Sequence, residues 1–148
     1  MKTSELKALS LGLTGLPLNI KYKYNRYNHK NATCITIKEY RCNNSITSIE
    51  CEKITFNIGQ LKDVLTVSEL HDRGFNTKDK KTFYIQVLLH EVAHYKQAKK
   101  YKKRFFTLYA GDETKMEKTA DRYARLNYKR IIEAGAISWR YTIIQTIR

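Results

Sequence analysis

The sequence predicts an α+β fold in which a small mixed sheet is followed by two long helices. Three stretches within the first 58 residues, LNIKYKY, ATCITIKEY and ECEKITFNI, alternate apolar and polar side chains, the period of half-buried strands. From 79 to 104, and again from 116 to 134, apolar residues recur at helical spacing with no glycine or proline to interrupt them. With 148 residues and no linker or internal repeat, the chain is expected to form one domain over 1–148.

Taken in order, TSELKALS at 3–10 places Leu6 and Leu9 on one face, a short leading helix closed by GLTGLP. The strands at 18–24 and 32–40 are expected to pair antiparallel across the polar NRYNHKN. A third strand spans 50–58, with EKITFNI as the sheet edge. Leu61, Val64 and Leu65 predict a short helix before the polar break HDRGFNTKDKK, which contains His71. In the helix over 79–104, Phe83, Val87, Leu88, Val92 and Tyr95 form the apolar face. A loop around TLYAGDET follows, with Gly111 as breaker and Asp112 or Thr114 as cap. The helix MEKTADRYARLNYKRIIEA then runs to Gly135. The tail AISWRYTIIQTIR is rich in β-branched residues and reads as a strand or a last helical turn.

Composition narrows the functional classes. Twenty-eight Lys and Arg against 14 Asp and Glu give a net charge of +14, which favours polyanionic partners, nucleic acid among them. A solvated lysine-rich surface accounts for the same number. Cys34, Cys42 and Cys51 form no Cys-x-x-Cys pair, and an odd count argues against a disulfide framework. Lys2, Glu5 and Lys7 interrupt the N-terminal stretch, so no secretory signal is expected. No run is long enough to span a membrane, and a cytoplasmic protein with reduced thiols and no membrane partner is the simplest expectation.

Chemistry concentrates in HEVAH, where His90, Glu91 and His94 match H-E-x-x-H. Residues four apart on a helix share a face, so both imidazoles can address one ion. Glu91 lies about 100° round the helix axis from His90, able to reach a group on the ion without binding it. Histidines on a solvated helix face explain the pattern equally well, but the flanking FYIQVLL argues that this helix is buried. A catalytic zinc has three protein ligands and an open position, which directs attention downstream. Glu117 and Asp121 lie there, four apart at the start of the next helix.

HEVAH followed by EKTAD resembles the H-E-x-x-H plus E-x-x-x-D signature of the gluzincin metallopeptidases. The resemblance covers about 50–135 and is closest to minimal single-domain gluzincins and to the ImmA/IrrE-type peptidase domain, whose members cleave DNA-bound repressors. It implies a zincin-like domain with one Zn2+ held by His90, His94 and Glu117. Glu91 would be the general base, and Asp121 would fix the tautomer of a zinc-binding histidine. Two departures stand out: residues 1–49 match no motif, and Ala93 occupies a position that is often glycine. Such a site hydrolyses peptide bonds, Glu91 taking a proton from water and passing it to the leaving amine. Tyr109, or else His71, would donate to the oxyanion. The substrate would be an intracellular protein or peptide, one associated with DNA being a natural candidate, laid against the sheet edge as an added strand.

KQAKKYKKRFF places Lys96, Lys99, Lys100, Lys102, Lys103 and Arg104 among Tyr101, Phe105 and Phe106, an interleaving that nucleic-acid surfaces share. Cations also favour the last turn of a helix for its own sake. Two other functions fit the residues: a basic, non-enzymatic nucleic-acid-binding domain with a structural HEVAH, and a zinc hydrolase with a non-peptide substrate.

Overall fold

A computed structural model describes residues 2–24 and 32–147, with side chains described as far as Glu133. Helix α1 (Thr3–Thr14) runs four residues beyond the expected end and stops where Gly15 takes a left-handed φ of 71° and its N–H bonds to Leu11 O. Three strands follow, β1 (Leu18–Lys21), β2 (Thr33–Cys42) and β3 (Ser45–Asn57). Their order in the sheet is β1-β3-β2. β1 pairs parallel with β3, and β2 pairs antiparallel with β3 through a tight turn at Asn43 and Asn44, both at positive φ.

This order corrects two expectations. β1 and β2 are not neighbours, and EKITFNI is the central strand rather than an edge. Alternation reports which face a residue occupies but not which strand lies beside it. Ile54 and Phe56, both fully buried, make β3 the floor of the core. The polar NRYNHKN stretch lies outside the described residues.

The single helix expected near 61–65 is two, α2 (Ile58–Leu61) and α3 (Val64–Asp72), with Asp63 capping the second through Thr66 N–H. Leu61 is buried, whereas Val64 and Leu65 are 80% and 62% exposed, so the apparent helical stripe was no stripe. α4 (Lys80–Tyr101) carries HEVAH, and every residue from Thr82 to His94 is buried. Such a helix runs through the interior and not over it; it packs against α1, the sheet and α6.

Past α4, a 3₁₀ turn (Lys102–Arg104) leads into α5 (Phe105–Gly111), so most of the expected TLYAGDET loop is helical. Asp112 breaks the chain and caps α6 (Glu113–Ile147), its carboxylate accepting from Lys115 N–H at 3.1 Å. α6 continues through Gly135, so the backbone of the tail is helical too. The described structure is thus α+β with a small mixed sheet, and no helix among its described residues is long and apolar enough to cross a membrane.

Candidate metal centre

His90 and His94 sit on consecutive turns of the buried α4, and Glu117 reaches them from the second turn of α6. Their ligand atoms converge. His90 Nε2 lies 3.1 Å from His94 Nε2 and 3.0 Å from Glu117 Oε2, while His94 Nε2 lies 3.1 Å from Glu117 Oε1. A regular tetrahedron of zinc–nitrogen bonds has donor–donor edges of roughly 3.3 Å, so these separations fit an ion with slight expansion. Among the described residues this is the group of His, Cys, Asp and Glu side chains that could hold a metal ion.

The outer nitrogens settle which ring atoms are free. His90 Nδ1 is 2.8 Å from Asp121 Oδ1, and His94 Nδ1 is 2.8 Å from Gln97 Oε1. Gln97 Nε2 donates to Met116 O at 3.2 Å, which fixes the amide so that its oxygen faces the histidine. Both Nδ1 atoms therefore donate, and two Nε2 atoms face each other across 3.1 Å. Lone pairs in that arrangement repel unless a proton or a cation lies between them.

The electrostatics agree. Burial opposes charge on His90, but hydrogen bonds to the Asp121 and Glu117 carboxylates outweigh it and raise the imidazole to about 9. Burial likewise disfavours the Glu117 carboxylate, yet His90, His94 and Tyr109 together hold it well below the usual carboxylate range. Asp121 is held down against burial by His90 and Arg73. The Tyr109 hydroxyl donates to Glu117 Oε1 at 2.5 Å, and burial together with that bond pushes its pKa up.

Three contributors escaped the sequence reading. Arg73 forks onto Asp121, Nη2 to Oδ1 at 2.7 Å and Nε to Oδ2 at 3.0 Å, with Glu117 Oε2 at 3.8 Å. Thr33 Oγ1 donates to Glu91 Oε1 at 2.9 Å. Gln97, the third, had a local signal in its place three residues after His94, on the same face. His71, in contrast, lies in the last turn of α3 with its ring 3.5 Å from Thr77 Oγ1, and it does not line the cleft.

A cleft of about 660 Å³ opens over the cluster. Its walls include Thr33 to Ile35 of β2, Leu70, Arg73 and Tyr109, with Glu91 beside the two histidines. The edge of the sheet that borders it is β2. The chain matches no protein-family model, no curated protein and no solved structure.

Proposed function

We propose that this chain is a zinc-dependent metallopeptidase with a zincin-like fold of the gluzincin kind, acting on an intracellular protein. The observation that carries the reading is the convergence of two Nε2 atoms and one carboxylate within 3.0–3.1 Å of one another, each imidazole being anchored through its other nitrogen. His90, His94 and Glu117 would hold the ion, and the N,N,O donor set suits zinc. Bound there, zinc would supply Lewis acidity toward water and toward the scissile carbonyl.

The protein's own groups divide the remaining work. Glu91 is the general base; Thr33 occupies its Oε1, which leaves Oε2 to accept a proton from the attacking water and return it to the leaving amine. Tyr109, at the mouth of the cluster, turns its hydroxyl from Glu117 to the developing oxyanion. The substrate backbone lies along the edge of β2 that borders the cleft, and not along EKITFNI. Asp121, backed by Arg73, keeps His90 in the tautomer that presents Nε2.

The decisive experiment combines metal content with cleavage of a mixed peptide library. Wild-type protein should hold about one zinc per chain and cut peptides, whereas Glu91→Gln should keep the zinc and lose the cutting. Full cleavage by Glu91→Gln would overturn Glu91 as the base, and a protein that takes up no zinc would overturn the peptidase reading and favour a non-enzymatic role.

A further inference from the structure

A second groove of about 650 Å³ lies between Thr47, Ser48 and Ile49 of β3 and the stretch from Ala98 to Arg104. We propose that this groove binds the phosphodiester backbone of a nucleic acid, independently of the metal centre. Lys99, Lys100, Lys102, Lys103 and Arg104 line it and are all exposed. None of them forms an ion pair with a carboxylate among the described residues. Lys99 and Lys100 instead lie over the rings of Tyr95 and Tyr101, at 5.5 and 5.3 Å. These cations are therefore not neutralised within the fold.

Helix-end electrostatics explain only part of the cluster. α4 ends at Tyr101, so Lys99 and Lys100 complement its C-terminal dipole. Lys102 is the C-cap of α4 and shares that advantage, whereas Lys103 and Arg104 lie in the 3₁₀ turn just before α5, where the dipole of that helix gives cations no help. Lys102 also has φ 53° and ψ −130°, a backbone conformation that glycine would adopt without strain. A lysine is thus held at position 102 at a cost in backbone strain.

The partner's chemistry follows from the groups that line the groove. Its apolar lining is Ile49, Ala98 and the half-buried Tyr101, whose ring carries Lys100 over its face at 5.3 Å, an aromatic of the kind on which a base stacks beside a basic groove. The groove offers ammonium, guanidinium and the hydroxyls of Thr47 and Ser48, the groups that contact phosphate oxygens irrespective of sequence. None of the residues that line it lines the cleft over the metal cluster.

Fluorescence anisotropy with labelled single-stranded and duplex DNA tests the proposal on the full chain. If four phosphates are engaged, log affinity should fall against log salt with a slope of about −3 for single strands and −4 for duplex. The triple variant Lys99→Glu, Lys103→Glu, Arg104→Glu should weaken binding tenfold or more, with a shallower slope. Lys102→Gly should melt at a higher temperature yet bind less tightly, opposite signs that a purely structural lysine would not give. Absence of binding at low salt, unchanged binding by the variants, or equal displacement of DNA by polyglutamate would overturn it.

Discussion

Arg73 grips Asp121 with two nitrogens of its guanidinium, and Asp121 in turn holds His90, so the residue that closes α3 is tied through α6 to the motif helix. The fork places a permanent positive charge behind the carboxylate and raises the arginine's own pKa. Arg73→Met should lower zinc affinity by about 10- to 100-fold, the usual cost of losing an outer-shell partner. Competition with a chromophoric chelator measures it. Arg73→Lys restores the charge without the fork and should recover only part of the loss.

Gln97 bonds His94 on one side and the Met116 carbonyl on the other, linking α4 to the first turn of α6. Gln97→Leu leaves the buried Nδ1–H of His94 without its acceptor and should cost about 1–3 kcal/mol, read by urea denaturation of the metal-free protein. Gln97→Glu keeps the acceptor for His94 and loses only the donor to Met116, so its zinc affinity should exceed that of the leucine variant.

Tyr109→Phe removes one hydroxyl and leaves the ring packed beside His94 and Phe105. In the proposed peptidase, kcat should fall by roughly 10²–10³ with little change in KM or zinc content. A change in zinc content alone would assign the hydroxyl to Glu117 and not to the oxyanion.

Protons and metal compete for His90. Its imidazole, raised from 6.5 to about 9, is charged at neutral pH in the metal-free protein, so an incoming ion must displace a proton. Zinc affinity should therefore climb with pH up to about 9, and calorimetry in buffers of different ionisation enthalpy should show proton release near pH 7.5. Stability of the metal-free protein has the opposite sign. Because the folded pKa is raised, the contribution of His90 is complete below 6.5 and disappears as pH rises through 9. Thermal melts after chelation should fall over that window.

Gly59 opens the path from β3 into α2, and a Cβ there would stand 2.5 Å from the carbonyl oxygen of Tyr22. Gly59→Ala must push backbone against backbone, at a cost of about 1–3 kcal/mol. A lowered melting temperature with unchanged zinc stoichiometry is the expected outcome.

What could be read from the sequence was whatever repeats locally. The helix over 79–104 was legible because its apolar run is continuous; His90, His94, Glu117 and Asp121 were legible because helical spacing puts each pair on one face. Arg73 and Thr33 were not, since their partners lie 48 and 58 residues away and nothing near them in the chain marks the meeting. The sheet order was hidden for a related reason. Ile54 and Phe56 alternate as they would in an edge strand, and only the parallel pairing of Leu18 with Ile54 puts β3 in the centre.

Among the described residues, that order leaves β2 with one side unpaired, and its composition divides along its length. The half beside the cleft, TCITI from 33 to 37, carries no charge, while KEYRC from 38 to 42 carries three. An uncharged, β-branched edge invites a second copy of the chain to pair with it. Lys38, Glu39 and Arg41 guard the outer half against such self-association. The inner half lines the cleft, and in the proposed peptidase that edge is kept for the extended backbone of the substrate.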